Sequence, residues 1–395
     1  MGFFLPVPAL AGGATEKIWH RLGELMAAEG HDVTIISRRW PGLPDRATVE
    51  RLTHLRLPGI GHTRHLAANL ALDFLWGLRV LRALPPGDVV VCNTISLPIY
   101  LRRIRPSAGR VAVVLGRMPK GQNRCYGGVD LILATSSAVA EQARRENPAV
   151  AGKIFQFPNP IDWDLHHRAS QQGGAGRPLV IGYIGRIHPE KGLEQLLDAA
   201  CALTNREDLP PWRLVFIGPV SIAQGGGGES YRDALQASYA PRLGDRLAFL
   251  PPIFDRDELA RRYGELDIFC YPSVAAQGEG LSIAPIEAMA AGAVPVVSRL
   301  ACYEDLIVPG QNGFVFDHEG PSPSAELASI LGYLLGDSAV RTTAAAKAQS
   351  TARRFDYAET ARLLLTRFAQ LISLERGGAS DPGPRTKGPR DFSET

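Results

Sequence analysis

No stretch of this sequence approaches the ~18 consecutive apolar residues that a membrane-spanning helix needs, so no transmembrane segment is expected. The N-terminus has neither the basic n-region nor the cleavage site of a secretory signal. Cysteine is scarce and scattered: Cys92, Cys125, Cys201, Cys270 and Cys302 form no CxxC pair. That pattern suits reduced, buried thiols in a cytoplasmic protein rather than a disulfide framework or a zinc site. No other metal-type cluster is evident, so no metal is expected. The dinucleotide fingerprint GxGxxG is missing from the first glycine turn, which weakens a dinucleotide reading there. Basic residues are not interleaved with aromatics on an evident sheet face, which argues against nucleic acid as a partner.

What is present is ordinary globular chemistry in a long chain. The 395 residues are 45% hydrophobic and 21% charged, too much chain for one core and suited to two domains of about 150–200 residues. The net charge of +3 hides an asymmetry. Residues 1–158 hold 20 Lys and Arg against 11 Asp and Glu, and the remainder 23 against 29. A basic half joined to an acidic half suggests that the first domain meets something anionic, for which membrane lipid, a phosphorylated acceptor and nucleic acid all qualify on charge alone. An arginine-rich surface with no partner is the plain alternative.

Along the chain, residues 3–6 read as a short opening strand, 7–13 as a loop, 14–30 as a helix and 33–37 as a buried strand. In this βαβ unit the Gly12-Gly13 turn lets the backbone approach a ligand at the helix start. Residues 66–84 form an apolar helix with basic neighbours, read as packed on the first domain, although such a face could also touch a membrane. Residues 88–92, 111–115 and 131–134 have the continuous apolar character of central parallel strands, and Ser136-Ser137 opens a helix. Residues 158–162 break the pattern, and 170–178 read as exposed linker. A second alternation follows, with strands at 179–184, 214–217, 247–250, 268–271, 294–297 and 313–316 and helices at 192–203, 229–240, 255–264 and 283–291. Residues 224–229 read as a flexible glycine loop. The expected fold is α/β: two Rossmann-like doubly wound parallel-sheet domains facing a central cleft. Their bounds are 1–160 and 179–355, with a linker at 161–178, a C-terminal helix at 356–376 and a disordered tail at 377–395.

Gly278 to Gly292 is a loop that turns into a short helix, with Ser282 placed as N-cap, Pro285 in the first turn and Gly292 as the stop. Glu279 precedes this helix and Glu287 lies just over a turn inside it. Two carboxylates at its electropositive end could orient hydroxyls of a ligand whose phosphates sit on the helix N-terminus. Alone, they could equally be a cap and a solvated glutamate. The turn Gly185 to Gly192 follows the second domain's first strand and brings Arg186 and Lys191 to a helix entrance. Two fixed cations there suit a diphosphate leaving group, which gains charge as its bond to carbon breaks. His188, inside that turn, reads as filler.

Together these motifs resemble the retaining glycosyltransferases of family 4, which have the GT-B fold, over nearly the whole chain from Gly12 to about Leu374. Gly12-Gly13 with Glu16 and Lys17 looks like the family's first loop, whose glycine backbone approaches the donor phosphates. Pro158 to Asp162 is similar to its interdomain turn. Arg186 and Lys191 match its diphosphate pair. Glu279 and Glu287 match its Glu-x7-Glu pair, in which the first carboxylate sits by the donor sugar and the second holds the nucleotide ribose. The amides of Gly280, Leu281 and Ser282 would reach toward the diphosphate, and Asp356-Tyr357 with the helix after it resembles the segment that crosses back to the first domain. The resemblance implies sugar transfer from a nucleotide-diphosphate sugar with retention at the anomeric carbon and no cofactor. It puts Arg186, Lys191 and Glu279 at the reacting centre and implies a glycan, lipid-linked or small-molecule acceptor. No acid/base pair or covalent nucleophile stands out, in keeping with catalysis by charge stabilisation and orientation. One departure concerns a histidine that many members carry after the strand at 111–115. Here Gly116-Arg117-Met118-Pro119-Lys120 stands instead, leaving Arg117 and Lys120 as acceptor-side candidates.

An epimerase or phosphorylase on this fold would need acidic and histidine constellations, or a pyridoxal-phosphate lysine, that the sequence does not place. A non-catalytic nucleotide-sugar or polyanion binder has no need of both cations and both glutamates. The expectation is a cytoplasmic hexosyltransferase in surface polysaccharide or glycolipid assembly, peripheral on the inner face of an anionic membrane. Transfer to a small metabolite is the alternative.

Overall fold

Short continuous apolar runs, each closed by a turn residue, become parallel strands, and the periodic segments between them become helices on both sheet faces. The computed structural model describes residues 1–377 apart from 11, 62, 64 and 171–175. The tail read at 377–395 therefore lies, beyond Gly377, outside the described residues, as does part of the linker.

The first unit comprises α1 (Ala14–Ala28), β1 (Val33–Arg38), β2 (Arg46–Val49), β3 (Leu52–Leu57), α2 (Leu66–Ala83), β4 (Val89–Cys92), α3 (Leu97–Ile104), β5 (Arg110–Leu115), β6 (Leu131–Ala134), α4 (Ser137–Glu146) and β7 (Ile154–Gln156). Its strands form a parallel four-stranded sheet, β4-β5-β6-β7, and a three-stranded sheet, β1-β3-β2, in which β2 runs antiparallel. Two expectations are corrected here. The domain is not purely parallel, and residues 3–5 are bends and Pro6 irregular rather than a strand. Pro6 and Pro8 lack ladder donors, and the segment is instead held by scattered contacts. Arg38 donates to the Phe4 carbonyl and Trp76 Nε1 to the Met1 carbonyl.

The second unit comprises α5 (Trp163–Ser170), β8 (Leu179–Ile184), α6 (Leu193–Leu203), β9 (Trp212–Ile217), α7 (Glu229–Leu243), β10 (Leu247–Leu250), α8 (Arg256–Gly264), β11 (Ile268–Tyr271), α9 (Ile283–Ala290), β12 (Val294–Ser298), β13 (Phe314–Phe316), α10 (Pro323–Gly336) and α11 (Ser338–Ala352). All six strands are parallel, in the order β10-β9-β8-β11-β12-β13. The order reverses between β8 and β11, so a crevice opens at their carboxyl ends. Residues 163–170, read as linker, are the helix α5, which packs on α8 and α9 with His166 and Ala169 buried.

α12 (Tyr357–Gly377) lies on the first unit. Its Tyr357, Ala361, Leu364 and Leu371 share a core with Ile18 and Leu22 of α1 and with Leu131 and Leu133 of β6. The two crossings between units run side by side, since Ile161 N–H donates to the Phe355 carbonyl and Tyr357 N–H to the Ile161 carbonyl. No helix among the described residues is long and apolar enough to cross a membrane. Four cysteines are buried, but Cys125 is exposed, contrary to the expectation for all five.

Candidate active site

The turn after β8 and the loop after β11 flank the point where the strand order reverses, and together they carry Arg186, Lys191 and Glu279. Lys191 is 5% exposed and forms an ion pair with Glu279, itself 6% exposed. Its Nζ stands 5.3 Å over the Tyr271 ring and 3.8 Å from Glu190 Oε1. Burial opposes the lysine charge, but Tyr271 and Glu279 outweigh it and raise the pKa above the ordinary lysine value. Burial likewise opposes ionisation of Glu279, and Lys191 with the Ser282 and Ser273 hydroxyls overcomes it, leaving the carboxyl below its usual range. Ser273 Oγ donates to Glu279 Oε1 at 2.8 Å and Ser282 Oγ to Oε2 at 2.5 Å. Ser282 does occupy the N-cap position of α9, but its side chain caps nothing because it serves Glu279.

Arg186 is held by its own turn and by the glycine loop after β9. It pairs with Glu190 and donates to the Gly225 carbonyl at 2.8 Å. Burial raises the Glu190 pKa less than Arg186 and Lys191 lower it, so this carboxylate too stays charged. Positive and negative groups thus alternate through Arg186, Glu190, Lys191 and Glu279. His188 has a definite task, since its Nδ1 accepts from Glu190 N–H at 3.2 Å and caps the short turn. The loop read as flexible is folded against this turn. Gly227 N–H donates to the Ile187 carbonyl and Gly228 N–H to the Val220 carbonyl, each at 2.8 Å. A Cβ on Gly226 would lie 2.1 Å from the Val220 carbonyl oxygen, so glycine is there for close packing rather than for motion.

Glu287 reaches a different set of partners. Its Oε1 accepts from Lys17 Nζ of α1 at 2.5 Å and lies 3.6 Å from His166 Nε2 of α5. Burial works against its charge, yet Lys17 and His166 hold the carboxyl at about 2. The first unit covers the site at two more points. Asn159 Nδ2 donates to the Leu281 carbonyl at 2.6 Å, and Gly280 packs so closely on the first unit that an added Cβ would sit 2.4 Å from the Gly116 oxygen. A ligand large enough to touch both glutamates must therefore enter with the units apart.

The structure brings together Lys191, Glu279, Gly280, Leu281 and Ser282, with Arg186 joined through Glu190 and Glu287 one turn along α9. Gly12 and Gly13 lie at the start of α1 with φ of +83° and +103°, and a Cβ on Gly12 would be 3.5 Å from the Phe254 ring of the second unit. Arg117 and Lys120 are exposed, and their loop meets the site through the Gly116 carbonyl instead. Sequence reasoning missed His166, Ser273 and Tyr271. For His166 a signal existed: Asp162 Oδ1 accepts from Leu165 N–H at 3.1 Å, the cap of a helix start.

Comparison with known proteins adds a family. Residues 168–350 match the family model described as "Glycosyl transferases group 1". A D-inositol 3-phosphate glycosyltransferase of Corynebacterium urealyticum is 28% identical over 53% of this chain and 48% of its own. A phosphatidyl-myo-inositol mannosyltransferase of Mycobacterium tuberculosis is 28% identical over 58% and 57%. The chain thus spans about half the length of these curated relatives. In fold, the solved sucrose-phosphate synthase of Thermosynechococcus elongatus superposes with a TM-score of 0.75 at 21% identity, over 92% of this chain and 94% of that one.

Proposed function

We propose, since residues 168–350 match the group 1 glycosyltransferases, that this chain transfers a sugar, with retention, from a nucleotide-diphosphate sugar to an acceptor. The buried Lys191–Glu279 pair at the reversal point of the second sheet carries this reading. A leaving diphosphate accumulates charge as the glycosidic bond breaks. Lys191 and Arg186, already oriented by Glu279 and Glu190, stabilise that charge without reorganising, and the amides of Gly280, Leu281 and Ser282 add the positive end of α9. Glu279 faces the sugar and Glu287 the ribose. The Gly12-Gly13 backbone approaches the phosphates from the other side. No cofactor or metal is assigned a part.

The acceptor belongs to the first unit, with Arg117 and Lys120 beside the cleft. On α2, Leu66, Leu70 and Phe74 expose an apolar stripe at four-residue spacing, on a unit rich in arginine. Such a face suits a lipid-linked acceptor at an anionic membrane, in glycolipid or surface-polysaccharide assembly. The test is a melting and hydrolysis screen over UDP-, GDP- and ADP-sugars. Sugars on one base should raise Tm and slowly release the nucleoside diphosphate, because a ligand that binds only the folded state stabilises it. No shift and no hydrolysis with any donor would overturn the reading.

A further inference from the structure

Three groups surround the Glu287 carboxylate, and they differ in where they are anchored. His166 of α5 and Tyr263 of α8, whose rings meet edge to face at 5.4 Å, belong to the same unit as Glu287. Lys17 comes from α1, across the cleft, on a side chain 26% exposed, whereas Glu287 is 3% exposed. Lys17 is therefore the movable part of the cover. A ribose diol entering from the cleft finds Oε1 already held by Lys17 and His166, and it reaches that oxygen only by taking the place of the ammonium.

Resting on the donor-site reading above, we propose that Lys17 is an exchangeable latch on the ribose subsite. It closes the empty cleft through Glu287 and is displaced by the ribose hydroxyls of a nucleoside diphosphate. Lysine suits the task, since its compact ammonium on a flexible stem makes a point contact that can be exchanged, unlike the two-pronged grip of arginine. The exchange is close to balanced, because a desolvated ion pair gives way to charge-assisted hydrogen bonds from the diol while His166 keeps its place. Lys17 acts through Glu287 and is a positioning residue, not a catalytic one. By leaving, it also reports donor loading to α1 and the first unit.

The test compares ribo- with 2′,3′-dideoxynucleoside diphosphates, which isolates the diol from every contact to the phosphates. Calorimetry with UDP, GDP and ADP identifies the base that the wild type binds, and the ratio of ribo to dideoxy affinity is then measured for variants. In wild type the diol must displace Lys17, so the ratio is small. In Lys17→Met it should widen by roughly tenfold, the scale of one charge-assisted hydrogen bond. Lys17→Arg retains the pair with a grip that is harder to displace, and its ratio should be no wider than that of wild type. Lys17→Gln makes the same comparison if the methionine variant does not fold. A ratio that is unchanged or narrower in Lys17→Met would overturn the latch and leave the donor site standing. Failure of the folded wild type to bind any of the three diphosphates would sink both.

Discussion

The two cations at the reversal point of the second sheet differ in burial, and their loss should be felt differently. Lys191 and Glu279 are both nearly inaccessible. Lys191→Met strands a carboxylate without its counter-charge, which costs about 3–5 kcal/mol of stability in buried pairs. Arg186 and its partner Glu190 are each about a third exposed. Such a half-solvated pair contributes at most about 1 kcal/mol to folding. In the proposed reaction both side chains serve the same developing charge, so each substitution should lower turnover by several-fold to hundreds-fold, about 1–4 kcal/mol of barrier. Urea unfolding of Lys191→Met and Arg186→Ala beside donor-hydrolysis kinetics separates the two effects. Equal stability losses would contradict the burial argument, and wild-type turnover in both would remove the diphosphate assignment.

At the scale of elements, the junction of α1 and β3 holds a titratable contact. The rings of His20 and His54 are 5.3 Å apart, and burial, with His20 and Arg56 close by, pushes the His54 pKa from 6.5 down to about 4. The unfolded chain takes up this proton below pH 6.5 and the folded chain does not. The stability that the neutral ring contributes is thus complete above pH 6.5 and is lost as pH falls from there to about 4. His54→Phe removes this titration, so its urea midpoint should fall less than that of wild type between pH 7 and pH 4. Parallel midpoints would show that His54 does not set the slope. Elements of this kind differed in how plainly the sequence announced them. β8, β10 and β11 fall at the predicted residues because each is a continuous apolar run with turn residues at each end. The helix α10 carries readable signals in Pro323 at its start and in Leu327, Leu331 and Leu334, yet the last helix expected before the C-terminal one ends at 291. α11 packs through Ala344, Ala348 and Ala352, and small buried alanines leave almost no amphipathic trace. α5 was hidden by its polar composition. Its buried face depends on His166, a residue whose interior place only the neighbouring α8 and α9 determine.

For the whole molecule, what was legible was local. Glu279 and Glu287 share one loop and helix, and Arg186 and Lys191 share one turn, so each pair follows from a strand-turn-helix pattern. What joins the units was not, since Lys17 and Glu287 are 270 positions apart, and Asp305 of the second unit accepts from Ser137 N–H at the start of α4 at 2.6 Å. Such contacts join side chains and backbone of both units across the cleft, and no periodicity encodes them. Gly280 gives the sharpest test of that closure. It lies between the site and the first unit, where a Cβ would meet the Gly116 oxygen at 2.4 Å and Thr135 Oγ1 at 2.7 Å. Backbone on one side and a buried hydroxyl on the other leave little room to yield. Gly280→Ala should therefore fold and bind nucleoside diphosphate on its second unit but fail to seal the cleft. Turnover should drop at least tenfold, about 1.4 kcal/mol of barrier, because water stays in a half-assembled site. In X-ray scattering at saturating nucleotide, its radius of gyration should exceed that of wild type under the same conditions. Matching radii with matching turnover would mean that the contact between Gly280 and Gly116 is incidental to closure.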